Sequence, residues 1–173
     1  SQPLASKVGL EILQQNGNAI DAAIAAAAVL NVTEPHMTGI GGDVFAIFWS
    51  AQEQKLVGLD ASGKSGSLMT SEHIRSQGHT YMPDLGPESV TIPGAISGWF
   101  ALLERYGTMS LAEVLAPAIR IAEEGYSVTP IISNQWRNQE KKLAHDKGAA
   151  ATFLYDGKRG PKTGEWFRNP DLA

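Results

Sequence analysis

From Ala22 to Leu30 every residue is apolar. A helix built from that run has no face to offer to water, so the fold must surround it with other layers. The run is also too short to cross a bilayer, which takes about twenty residues. Its helical start is marked by Asn18, a good N-cap, with Asp21 three positions on, and Glu34-Pro35 marks its end. Ahead of it, Leu4, Val8, Ile12 and Leu13 recur at helical spacing opposite Lys7, Glu11, Gln14 and Gln15. Residues 4 to 15 are therefore expected to form an amphipathic helix packed on the buried one, closed by Gly17.

The pattern changes after the glycine-rich turn at 39 to 42. Val44 to Trp49 is apolar at consecutive positions, as in a strand covered on both faces, and the polar turn Ala51-Gln52-Glu53-Gln54 leads to a second run, Lys55 to Leu59. A β-hairpin is expected. Residues 60 to 87 are rich in Ser, Gly and Pro and read as a loop on the surface or around a site, with one short helix at 71 to 76. A short strand is expected over Ser89 to Ile92, then a helix carrying Ile96, Trp99, Phe100 and Leu103 on one face. Ser110 and Glu113 form a capping box for a helix over 111 to 124, which Pro117 either bends or divides and Gly125 ends. Ser133 to His145 reads as a polar helix, and 148 to 168 has little period. The order, ααββ then αβαα, points to helices layered on a sheet. No linker divides the 173 residues, which read as one incomplete domain spanning 1–173, with both ends suggesting a piece of something larger.

Composition removes several classes of function. Fourteen Lys and Arg against eighteen Asp and Glu leave no basic excess to neutralise phosphates, so no nucleic acid partner is expected. The chain has no cysteine, which excludes disulfides, thiolate zinc sites and a cysteine nucleophile within it. His36, His73, His79 and His145 make no H-x-x-x-H pair, and no metal site is expected. Neither a G-x-S-x-G elbow nor an S-x-x-K pair is present. The sequon Asn31-Val32-Thr33 falls at the end of the helix expected to be buried.

Two glycine motifs invite a nucleotide reading. Gly58-Leu59-Asp60-Ala61-Ser62-Gly63-Lys64-Ser65 satisfies the phosphate-loop spacing, yet Gly66-Ser67 follow the Lys where a helix must begin, and the first credible cap is Thr70 or Ser71. Gly39-Ile40-Gly41-Gly42 has Val44 in place of a third glycine, and lies in the order helix, turn, strand where a dinucleotide fingerprint needs strand, turn, helix. Neither is expected to bind a nucleotide, and the second reads as a turn where two backbones approach closely.

Five separate stretches together resemble the γ-glutamyltranspeptidase family. They are Pro3-Leu4-Ala5-Ser6; Gly17-Asn18-Ala19-Ile20-Asp21-Ala22-Ala23; Glu34-Pro35-His36-Met37-Thr38-Gly39-Ile40-Gly41-Gly42; Pro93-Gly94; and Ala116-Pro117-Ala118-Ile119-Arg120. The resemblance runs on to Asn169-Pro170-Asp171-Leu172-Ala173 and implies the N-terminal part of a large subunit. The implied fold is α+β, the four-layer αββα sandwich of N-terminal nucleophile hydrolases, of which this chain is a part. The implied activity is γ-glutamyl transfer and hydrolysis on glutathione-type amides. The N-terminal Thr of a small subunit is the nucleophile, its own amine the base, and backbone N–H groups of that subunit hold the oxyanion. A cephalosporin or glutaryl acylase of the same fold, or an inactive relative, is the alternative. No catalytic residue lies in this chain on that reading, and no cofactor is implied. The implied partners are the small subunit, the remainder of the large subunit and a small acyl-amide substrate. The family's usual compartment is periplasmic or extracellular, with the cytoplasm as the alternative.

The family's large subunit usually supplies an Arg, in a Leu-Asp-x-Arg-Glu motif, to pair with the substrate α-carboxylate through two parallel hydrogen bonds. Here the aligned stretch is Leu59-Asp60-Ala61-Ser62-Gly63-Lys64-Ser65, so Ser62 replaces the Arg and Gly63 the Glu. Ser62, Gly63 and Lys64 are the substrate-binding candidates, with Lys64 a point charge in place of a planar fork. The Ser-Gly-Lys-Ser form resembles a divergent, acylase-like branch. Asp60 is expected to end the strand, and Glu34, His36 and Met37 to build the turn and core around the glycine loop.

Overall fold

The computed structural model describes residues 2–84 and 86–173. It forms two compact units, one of Ser1–Gly39 with Leu103–Ala173 and one of Ile40–Leu102.

In the first unit, α1 (Pro3–Gln14) and α5 (Leu111–Glu124) both pack on α2 (Ala19–Thr33). Val8 and Ile12 of α1, Ile24, Ala25, Ala28, Val29 and Val32 of α2, and Val114, Ala118 and Ala122 of α5 are buried and form the core. The alanines of α2 leave room for neighbouring helices on more than one side, as an all-round apolar helix requires. Asn31 is 5% exposed, its amide donating to the Ala27 carbonyl, so the sequon is folded away. Helix α1 ends with Asn16, not Gly17, in the left-handed region, at φ 67°. Gly17 is needed for another reason: a Cβ there would stand 2.6 Å from Ile12 Cγ2 and 2.8 Å from Met109 Sδ.

Asn18 caps α2 through hydrogen bonds from the Ile20 and Asp21 amides, and its own amide group donates to the Tyr106 carbonyl at 2.6 Å. Asn18→Ala is expected to cost about 1 to 2 kcal/mol, because helix cap and long-range tie go together; urea unfolding of the variant checks this. Helix α5 runs unbroken through Pro117, so of the two outcomes left open there, a bend or a division, the division does not occur, while the Ser110–Glu113 capping box forms as expected. Helix α6 (Pro130–Leu143) begins three residues before the polar helix read from the pattern, and α7 (Lys147–Phe153) follows it where no element was expected. The two-residue strands β3 (Tyr126–Ser127) and β4 (Trp166–Phe167) pair antiparallel. Around them Trp136 stacks edge-on against Phe167 at 4.7 Å, and its indole N–H donates to the Phe153 carbonyl.

In the second unit, β1 (Val44–Ser50) and β2 (Lys55–Ala61) form the expected hairpin, with register from Val44 opposite Ala61 to Ser50 opposite Lys55. Helix α3 (Ser71–Ser76) falls where expected, capped by Thr70. Leu85, within the loop expected over 60 to 87, lies outside the described residues. The expected strand at Ser89 to Ile92 is absent: Pro87–Ser89 is one 3-10 turn, the Val90 amide bonds back to the Pro87 carbonyl, and the Ile92 amide donates to the Lys64 carbonyl. Helix α4 (Ala95–Tyr106) packs on one face of the hairpin, with Gly98 seated among Val44, Leu59 and Ala61 where a side chain would collide.

The other face corrects the expectation of a strand covered on both sides. Phe45, Ile47 and Trp49 are 68%, 77% and 59% exposed, and Leu56, opposite Trp49, is 65% exposed. Apolar residues at consecutive positions gave the right element and the right chemistry for two covered faces, but the described residues cover only one.

Candidate functional site

The bare hairpin face runs along β2 from Leu56 past Gly58 to Asp60, opposite Phe45, and at that end lies the loop 62–64. Asp60 does not end the strand as expected, since β2 runs one residue further, to Ala61. Asp60 Oδ1 accepts hydrogen bonds from the Ser62 amide at 2.9 Å and the Ser62 hydroxyl at 2.7 Å, an Asx turn that reverses the chain. The Ser62 hydroxyl, followed by its amide, holds the Asp60 carboxyl below the usual carboxylate range. The Ser62 proton is committed to Asp60, so its oxygen can accept a hydrogen bond from a ligand but has none left to give.

Gly63 is the tightest point of the loop. A Cβ on it would overlap the carbonyl of Ile92, so the residue type is set by the approach of two backbones. Its amide donates to Asp43 Oδ1 at 2.7 Å, and the Thr91 hydroxyl donates to the same oxygen at 3.3 Å. One residue on, the Lys64 carbonyl accepts from Ile92 at 2.9 Å. The segment beyond is fastened in turn, since the amides of Gly94 and Ala95 both donate to the Gly42 carbonyl at 3.0 Å. Three stretches distant in sequence, 42–43, 60–64 and 91–95, are thus laced into one platform, with the Lys64 side chain exposed at its surface.

This arrangement offers a ligand one mobile cation and one hydroxyl oxygen on a backbone held at several points. It contains no guanidinium, so bidentate pairing with a carboxylate is not available from it. All three binding candidates, Ser62, Gly63 and Lys64, lie on this platform. Asp43 and Thr91 are the residues that sequence reasoning missed. Asp43 follows two glycines and precedes a strand, which reads as a turn residue, and nothing local signals that its partner lies twenty positions away.

Of the residues expected to build the turn and core, Glu34 and His36 are held by hydrogen bonds, whereas Met37 does not join the core. Glu34 is buried at the C-cap of α2, its amide bonded to the Leu30 carbonyl; His36 Nε2 meets Gln135 Oε1 at 2.8 Å; Met37 is exposed. Among the described residues no group of three or more His, Asp or Glu could hold a metal. The phosphate-loop spacing also dissolves: Gly58 to Ala61 pair within the hairpin, and no helix starts until Ser71.

Residues 5–173 match the sequence profile of the family described as γ-glutamyltranspeptidase. The chain is 39% identical to the glutathione hydrolase-like YwrD proenzyme of Bacillus subtilis, over 98% of its own length and 32% of that protein's. It superimposes on the crystal structure of a cephalosporin acylase from Bacillus halodurans with a TM-score of 0.92 and 43% identity, covering 98% of this chain and 32% of that one. With Helicobacter pylori γ-glutamyltranspeptidase the TM-score is 0.93 at 31% identity, covering 99% of this chain and 50% of that one. The chain spans about a third of the length of the curated relatives it matches.

Proposed function

The chain belongs to the γ-glutamyltranspeptidase family, as an α+β portion of the N-terminal nucleophile hydrolase fold matching the N-terminal part of the large subunit, and on that premise we propose that it forms one wall of the acyl pocket in a self-cleaving amide hydrolase. The nucleophile is the N-terminal Thr of a small subunit outside this chain. It attacks the substrate amide carbonyl, the amine leaves with a proton, and water or an acceptor amine releases the acyl group. The loop 62–64 contributes binding and not chemistry. The bare face of Phe45, Ile47, Trp49 and Leu56 supports this reading, since a patch of that kind at the rim of a candidate site calls for a covering partner. The remainder of the protein supplies the cover and brings the nucleophile to the platform. The periplasm or the outside of the cell is the compartment that goes with this reading.

Within that chemistry the acyl group is of the acylase type, a simple acyl chain bearing at most one distal carboxylate. The single observation that carries this is the Ser62–Asp60 hydrogen bond: where the family pattern has Arg, the chain has a hydroxyl already used to hold its own loop. A γ-glutamyl group presents an α-carboxylate beside an α-ammonium, and a lone Lys64 lacks the geometry to select that pair. The second reading, γ-glutamyl hydrolysis or transfer, rests on Lys64 as a cation for the α-carboxylate and on the close superposition with the Helicobacter enzyme.

The test uses the mature full-length protein with glutaryl and γ-glutamyl p-nitroanilides as probes. The glutaryl anilide is expected to show the higher kcat/KM, and Lys64→Ala to lower it about tenfold through loss of one charge-assisted contact. A preference for the γ-glutamyl anilide overturns the acylase reading. Intact-mass analysis accompanies the assay, and the absence of a second chain beginning with Thr overturns the enzyme reading itself.

A further inference from the structure

We propose that Asp43 is a positioning residue for the substrate-binding loop: its Oδ1 holds the Gly63 amide and, through the Thr91 hydroxyl, the strap 91–92 that backs the loop, setting where Lys64 presents its charge. This rests on the reading of 62–64 as part of the acyl pocket. The geometry comes from three observations that converge on one oxygen and one glycine. Asp43 Oδ1 receives the Gly63 amide at 2.7 Å and the Thr91 hydroxyl at 3.3 Å, so a single carboxylate joins the start of β1 to both segments. Gly63 has no space for a side chain against Ile92, so the two segments are in direct backbone contact where Asp43 ties them. The Lys64 carbonyl then receives the Ile92 amide, leaving the residue beside the tie with its backbone held and only its side chain exposed.

A carboxylate suits this task because it accepts from two donors at one oxygen without offering a proton of its own. Remove it, and the Gly63 amide is left to water while the 91–92 strap loses one of its two anchors to the loop. The Asp60–Ser62 turn is unaffected, since it lies on the other side of Gly63 and uses a different carboxylate. The expected consequence is a loop that still forms but wanders, weakening binding without touching the nucleophile on the other subunit.

The experiment compares Asp43→Ala, Asp43→Asn, Thr91→Val and Lys64→Ala in the full-length, self-cleaved protein, with glutaryl p-nitroanilide as probe. Asp43→Ala is expected to raise KM about tenfold with kcat nearly unchanged, and Asp43→Asn, which keeps an acceptor at Oδ1, to restore KM to within about threefold of the parent. Thr91→Val is expected to raise KM about threefold. An unchanged KM in Asp43→Ala overturns the proposal, and so does a fall in kcat at constant KM. If Asp43→Ala does not mature, Thr91→Val decides, and an unchanged KM there is equally fatal. Lys64→Ala separates this failure from that of the underlying reading: with Lys64→Ala impaired and Asp43→Ala normal, only the role of Asp43 falls, whereas with both normal the substrate loop falls with it.

Discussion

Replacing Asp21 with Ala is expected to destabilise the protein by about 3 kcal/mol, because it strips the partner from several buried donors at once. Asp21 is fully buried in the first turn of α2. Its carboxylate accepts from the Asn18 amide at 2.8 Å, the Thr108 hydroxyl at 2.6 Å, the Thr108 amide at 3.1 Å and the Met109 amide at 3.3 Å. One side chain therefore closes the capping box and pins the start of α2 to the turn that leads into α5. Burial pushes its carboxyl upward, and is the largest single influence. The hydrogen bonds from the Thr108 hydroxyl and the three amides together outweigh it and hold the group below its ordinary value.

The pH dependence follows from that direction. A carboxyl whose folded value is depressed adds stability that is fully present above its unfolded value, about 4, and is lost as pH falls through the folded value. The gap between parent and Asp21→Ala in chemical denaturation should therefore be constant near neutrality and narrow below about pH 4. A gap that stays constant down to pH 2.5 would show that the charge contributes nothing. Asp21→Asn is expected to recover little, since its amide group presents donors to donors on one side. Asn18→Ala shares this network, so the double variant should fall short of the sum of the two singles.

At the other unit, Gly63→Val is expected to lower kcat/KM for a glutaryl anilide about a hundredfold, the scale of an error of about 1 Å in the placement of a binding group. The added side chain meets the Ile92 carbonyl, which is backbone and cannot swing aside, so either 62–64 or 91–92 must move. Movement of either breaks the Gly63–Asp43 or the Ile92–Lys64 hydrogen bond. The accompanying stability loss is expected to be moderate, about 1 to 3 kcal/mol, the usual range for overpacking. Steady-state kinetics beside a thermal melt checks both. Activity within twofold of the parent would mean that the platform tolerates rearrangement and does not position substrate.

The elements that were legible in the sequence are those with local causes. Helix α1 announces itself by periodicity, α2 by its unbroken apolar run, and α2 and α5 by cap residues that act within four positions; the capping boxes at Asn18–Asp21 and Ser110–Glu113 form as their spacing implies. The hairpin follows from two apolar runs and a polar turn. The strand expected at Ser89 to Ile92 fails for the opposite reason. Its composition suits a strand, but Pro93 has no amide to donate, the Val90 amide is turned back to Pro87, and the Ile92–Lys64 bond does not extend into a ladder. Helix α7 was missed because Lys147–Phe153 is only seven residues long, three of them alanine, with no periodic signal and only the Asp146 cap to mark it.

The site divides in the same way. The choice of loop 62–64 came from the order of residues and the resemblance it carries, which sets Ser62 against the family's Arg and Gly63 against its Glu, and the loop's lack of a guanidinium is read there too. What these residues can do was decided by contacts across the fold. The Ser62 hydroxyl is spent on Asp60, Gly63 is a glycine because Ile92 passes behind it, and Asp43 reaches the loop from the start of β1, which pairs with the end of β2. The same holds for the face of Phe45, Ile47 and Trp49. Its apolar composition is visible in the sequence, but that α4 covers only the opposite side emerges only when the hairpin and helix are packed together. Patterns of hydrophobicity and capping record forces that act along a few residues of chain, whereas a shared carboxylate or a glycine's necessity records forces between segments that meet only after folding.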